Sequence, residues 1–141
     1  MKMTNMDADI LLQTYGKMKQ SLANSVAPTI VVFGLQKNIR ILQTELKDYL
    51  EFKGQLLDKY NITQDVQINN TPEGQSFLQE FTPLAQEIAD VELHKINLTF
   101  DDMCDLMENC NAMIAGDVDA LMYICKDESE VDTDDSKKES E

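Results

Sequence analysis

The strongest constraint on this chain is a set of apolar residues spaced in steps of four and three. Leu35, Ile39, Leu42, Leu46, Tyr49, Leu56 and Tyr60 keep that rhythm, with Lys53 at the one polar place in the seam. A heptad seam of this length specifies a helix that lays one edge against another helix. It predicts one long helix from about Pro28 to Tyr60, proline suiting the first turn because its missing N–H has no helical partner there. Leu50, Phe52 and Leu57 widen the stripe, and Ile30 to Phe33 is apolar all round, as in helix buried on several sides. Gly34 and Gly54 mark close contacts or slight bends.

The remaining elements follow from period and punctuation. Ile10, Leu11, Met18 and Leu22 share a face, with Tyr15 at its edge, in a helix from about Asp7 to Asn24. That helix is shorter than the long one by about four turns. The distal part, from about Leu46 to Tyr60, therefore needs a third helix or a second copy of the chain to cover it. Thr71-Pro72-Glu73 is a helix start, with Thr71 as cap. The helix it opens runs to about Ala89 on Phe77, Phe81, Leu84 and Ile88, with Pro83 as a kink. Asp65 to Asn69 alternates polar and apolar, the period of a strand. Val91 to Leu98 alternates with a phase slip, which reads as a second strand with a bulge at His94 or Lys95. The two are expected to pair. Thr99 caps a short helix to Asn109, and Gly116 or Asp117 opens a last helix to Lys126 that buries Val118, Leu121, Met122 and Cys125. The fold class is mainly α (α+β): a long helical hairpin with a short two-stranded β ribbon and C-terminal helices.

Residues 1–126 are read as one helical domain and 127–141 as a disordered acidic tail. The tail has eight carboxylates, two lysines and Val131 as its one apolar residue, too little to offset ordering entropy. No apolar run has the length of a membrane span, and the first residues lack a signal-peptide core, which suggests a soluble cytoplasmic chain without a membrane partner. Twelve Lys and Arg face twenty-six Asp and Glu, for a net charge of −14. Such a chain repels phosphate, so nucleic acid is not an expected partner. The excess acid keeps a small protein in solution, or imitates DNA toward a basic partner.

Residues with chemical potential do not form a recognisable constellation. His94 is the one histidine, and it reads as structural; pairing it with Cys104 or Cys110 as a nucleophile has no local support. Cys104, Cys110 and Cys125 form no CxxC pair and are expected as reduced, buried thiols. No zinc spacing is present, and the tail lacks the glycine and terminal glutamate of a calcium loop. The five glycines are isolated, so no phosphate-binding loop can be drawn. Asp101, Asp102 and Asp105 fit a helix start. Catalytic, metal and cofactor sites are accordingly expected to be absent.

Certain runs resemble a diffuse group of small phage and prophage proteins. They are Leu35-Gln36-Lys37-Asn38, Leu42 to Leu50 with Glu45, Leu57-Asp58-Lys59-Tyr60, Phe77 to Phe81, Ile88 to Leu93, and Ala120-Leu121-Met122. The likeness spans roughly residues 10 to 125. The chain departs from the group in its longer Ala89-Asp90-Val91-Glu92 element and in its acidic tail. The resemblance implies a phage-encoded protein in the host cytoplasm and carries over no catalytic residue.

Three functions are open. The first is a non-enzymatic accessory protein that binds a host or phage protein, blocking a defence system. Its acid surface would speed association with a basic partner, and its affinity would fall with salt. The second is an oligomeric sponge for a small signalling ligand, with Lys37, Arg40, Lys47 or Lys53 as contacts; Arg40 is the sole arginine. The third is a virion assembly scaffold or chaperone. The seam itself is the expected interaction edge, within the chain or in a homo-oligomer.

Overall fold

The computed structural model describes residues 1–23, 27–110 and 118–131. In chain order the elements are β1 (Lys2–Thr4), α1 (Asn5–Leu22), α2 (Thr29–Glu45), α3 (Lys47–Lys59), α4 (Val66–Asn70), α5 (Pro72–Gln86), β2 (Ile88–Asp90), β3 (Ile96–Thr99), α6 (Phe100–Asn109), α7 (Val118–Met122) and β4 (Cys125–Lys126). A 3-10 turn follows at Glu128–Glu130. The chain is mainly α with a small β component and C-terminal helices. Among the described residues, no helix is long and apolar enough to cross a membrane.

The long heptad segment is helical over nearly its whole expected range. It is divided at one residue, Leu46, whose φ of −94° and ψ of 9° leave the helical region. Helical hydrogen bonds run through the break, from Leu46 N to Leu42 O at 2.9 Å and from Leu50 N to Leu46 O at 2.8 Å. The chain forms two compact units, one of Met1–Ile10 with Ile41–Val91 and the other of Leu11–Arg40 with Glu92–Glu141.

In the first unit, α5 packs on α3, so of the two covers the sequence left open the fold supplies the helix that begins at Pro72. Tyr49 and Phe81 have ring centroids 5.8 Å apart, and Phe77 stacks on Phe81 at 5.0 Å. Thr71 caps α5 as expected, its hydroxyl accepting from Gly74 N at 2.9 Å. The strand expected at 65–69 is instead α4, and that alternation was misleading. The side-chain carbonyl of Gln67 accepts from Thr63 N at 2.7 Å and Gln64 N at 3.0 Å, and these local bonds hold a helical turn. Gly74 lets α5 approach α4, since a Cβ there would lie 2.6 Å from the Ile68 carbonyl carbon. The antiparallel ribbon is β1 with β2, in register Lys2 with Asp90, Met3 with Ala89 and Thr4 with Ile88.

In the second unit, Leu11, Tyr15, Met18 and Leu22 of α1 are buried, as are Val31 and Leu35 of α2. Tyr15 is central rather than marginal: it is fully buried and its hydroxyl donates to Ala120 O at 2.7 Å. Ile10, expected on that face, is 56% exposed. β3 pairs in parallel with β4, Ile96 with Cys125 and Thr99 with Lys126. Of the expected bulged strand through residues 91–98, only 96–98 is strand, as the start of β3; residues 91–95 are not strand, and the preceding strand β2 ends at Asp90 in a separate sheet. The last helix is also shorter than expected, because the chain turns at Tyr123 to give β4. Leu121 and Cys125 are buried, Met122 is 57% exposed, and Gly116, Asp117 and the side chain of Val118 lie outside the description. Of the acidic tail, the described part begins with an ordered turn: Asp127 N donates to Glu130 Oε1 at 3.0 Å. Residues 132–141 lie outside the described residues.

Two glycine substitutions separate packing from propensity. Gly74→Ala drives a methyl into the α4 backbone and is expected to destabilise by about 1–3 kcal/mol. Gly54 has nothing within 4 Å of an added Cβ, so Gly54→Ala should stabilise by about 0.5–1 kcal/mol. Urea unfolding followed by circular dichroism checks both signs.

Candidate interaction surface

Helix α2 has two unlike faces. Val31, Leu35 and Asn38 are fully buried, at steps of four and three. Ile30, Phe33, Lys37 and Arg40 follow steps of three, four and three on another face, and all four are exposed. Ile30 is 46% and Phe33 59% accessible, which corrects the expectation that Ile30 to Phe33 is buried all round. The reason lies in helical geometry: four consecutive residues span the whole circumference, and only Val31 points into the core here. The Lys37 ammonium sits 6.0 Å from the centroid of the Phe33 ring, within cation–π range. From Thr29 to Thr44 the helix has no carboxylate, so its charges are Lys37 and Arg40 until Glu45.

One residue beyond Lys37, the buried amide of Asn38 reaches the backbone of His94. Asn38 Nδ2 donates to His94 O at 2.9 Å, and His94 N donates to Asn38 Oδ1 at 2.6 Å. The side chain therefore satisfies both backbone groups where a strand had been expected. Nearby, Gly34 admits Ile96, whose Cδ1 would lie 2.6 Å from a Cβ at that glycine. Burial first, and then the positive charges of Lys37 and Lys126, hold His94 below its ordinary pKa of 6.5. Lys126 Nζ is 3.4 Å from Asn97 Oδ1, and Lys95 pairs loosely with Glu130 at 3.8 Å. An open cleft of about 190 Å³ is lined by Thr99, Phe100, Asp101, Lys126 and Asp127. Its lining sets one ammonium against two carboxylates, so it has no clear preference for an anion.

The seam residues are divided between the units. In the second, Leu35 is buried and Ile39 half-buried; in the first, Leu42, Leu46 and Tyr49 are buried while Leu56 and Tyr60 are half-buried. Phe52, expected to widen the stripe, is 57% exposed. Lys37 and Arg40 belong to the second unit and Lys47 to the first, where it is exposed. Lys53 has a structural partner: its ammonium meets Asp9 Oδ2 at 2.9 Å, and the Tyr49 hydroxyl donates to the same oxygen at 3.1 Å. Burial and the Asp9 carboxylate push the Tyr49 phenol up. The sequence reading missed Asp9 and Asn38. The signals were available: Lys53 interrupts the seam, and Asn38 stands in step with Val31, Leu35 and Leu42.

Two cysteine thiols, those of Cys125 and Cys104, are shifted away from their reactive forms. Burial pushes the Cys125 thiol up to about 11. Burial and the carboxylates of Glu108, Asp101 and Asp105 raise Cys104. A nucleophilic cysteine needs the opposite shift. Among the described residues, no group of three or more His, Cys, Asp or Glu side chains is placed to hold a metal ion. Comparison of the chain with protein-family models, with curated proteins and with solved structures finds no match.

Two titrations follow. At neutral pH, Cys125 carries about 100-fold less thiolate than a free thiol of pKa 9.0, so iodoacetamide should label the folded chain at Cys125 at least that much more slowly than the unfolded chain. For His94, the folded state resists a proton that the unfolded state accepts. Its contribution to stability is complete above pH 6.5 and is lost as pH falls from 6.5 through the folded midpoint. The NMR midpoint of His94 should lie below 6.5, and Lys37→Met should move it upward.

Proposed function

We propose that this chain is a non-enzymatic accessory protein, phage-encoded and acting in the host cytoplasm, that binds a host protein and blocks a defence system. The observation that carries the binding reading is the exposed stripe of α2, where Ile30 and Phe33 stand in solvent beside Lys37 and Arg40. Burying one such apolar side chain against a partner is worth about 1.5–3 kcal/mol. The raised thiols of Cys104 and Cys125 support a role without cysteine nucleophilic chemistry. The phage setting rests on the resemblance of the helix sequences to small phage and prophage proteins.

A second reading, the ligand sponge, has one specific observation in its favour. Lys37 and Lys126 act on His94 together, a local concentration of positive charge on a chain of net charge −14. Under that reading a nucleotide messenger would raise the melting temperature of the chain, by mass action on the folded state.

The test is purification of a tagged copy from phage-infected cells, beside a tagged Phe33→Ala variant, with mass spectrometry of both eluates. A host protein recovered in stoichiometric amount with the first and lost with the second is the expected result. Capsid or tail proteins in its place would instead support assembly. Recovery of the bait alone, with a messenger raising the melting temperature, would replace the binding reading with the sponge.

A further inference from the structure

The α2 stripe also carries information about the chemistry of what it binds. We infer that Ile30, Phe33, Lys37 and Arg40 form a docking surface for an acidic amphipathic helix of a partner protein. This deepens the protein-binding reading and rests on it. Steps of three, four and three are the spacing with which one helix meets another, so the occupant is a helix laid along α2. Its composition follows the stripe: apolar side chains over Ile30 and Phe33, carboxylates over Lys37 and Arg40. Arg40, the sole arginine of the chain, offers a planar fork that takes a carboxylate through two hydrogen bonds. The Lys37 ammonium is already held near the Phe33 ring, so less side-chain freedom is lost on binding.

The inference runs against the net charge, and the ranges of the two effects reconcile them. At physiological ionic strength, charges separated by more than about 8 Å are largely screened. A helix seated on α2 therefore responds first to Lys37 and Arg40, which have no carboxylate on their own helix before Glu45. A second copy docked through the same stripe fits poorly. In a parallel pairing like charges oppose one another; in an antiparallel pairing Lys37 and Arg40 face Ile30 and Phe33. Nucleic acid is disfavoured because the stripe supplies two cations, too few to neutralise a run of backbone phosphates.

The experiment uses the full chain and a fluorescent synthetic helix of about four turns, leucines at one end and glutamates at the other in the same spacing. A control helix has lysine in place of each glutamate. Fluorescence anisotropy should show the acidic helix binding at least about tenfold more tightly than the basic one. Phe33→Ala should weaken it, and a Lys37→Glu/Arg40→Glu double variant should reverse the preference. Circular dichroism melts of both variants should match the parent, since all three positions are exposed. Equal binding of the two helices, absence of binding by the acidic helix, or indifference to the double variant would each overturn the inference. So would self-association of the parent that the double variant abolishes, because the occupant is then a second copy. The same variant separates this inference from the broader reading. If the partner recovered from cells binds the double variant more tightly, protein binding stands while the acidic-helix assignment falls.

Discussion

The primary amide of Asn38 gives the backbone of His94 both halves of a strand-like pair, and the local order of the second unit follows from it. The bonds measure 2.9 and 2.6 Å, and the side chain is fully buried. A buried amide is costly unless its polar atoms find partners. The fold meets that cost by ending the ordinary ladder at this point: residues 91–95 belong to no strand, and β3 begins at Ile96. Ile96 then enters the space left by the missing side chain of Gly34, four residues before Asn38 on α2. Through β3 the same anchor bears on β4, whose Lys126 acts on His94 along with Lys37.

The first unit has its own buried polar centre. Asp9 is almost fully buried and receives both the Lys53 ammonium and the Tyr49 hydroxyl. Lys53 also lies 5.8 Å from the centroid of Phe81, so its stem and charge bind to both the carboxylate and the aromatic cluster. Buried ion pairs contribute little net stability against well-packed apolar residues, but one partner left alone is expensive.

The seam leaves a separate face of α2 exposed. Val31, Leu35, Leu42, Leu46 and Tyr49 are consumed inside the chain. What α2 presents outward is Ile30, Phe33, Lys37 and Arg40, an apolar and cationic stripe on an acidic protein. A rigid helix presents such a stripe with little entropy left to lose on binding. Under the binding reading proposed above, the stripe decides what can be held.

The helices could be read from the residues alone because their signals are local. Heptad spacing, Pro28 and Pro72 at helix starts, and the hydroxyls of Thr71 and Thr99 each act within a turn or two, and the Thr71 and Thr99 caps form as expected. Strand pairing was not legible: five alternating residues at 65–69 suit a half-buried strand and a single helical turn equally, and Gln67 decides between them through its own hydrogen bonds. The candidate surface was legible only in part. Lys37 and Arg40 stood out as scarce cations, but hydrophobicity at Ile30 and Phe33 says that burial is favourable, not that this chain provides it. That choice belongs to tertiary structure, because a helix has more apolar circumference than one neighbour can cover, and in α2 the side with Val31, Leu35 and the anchored Asn38 is the one turned inward.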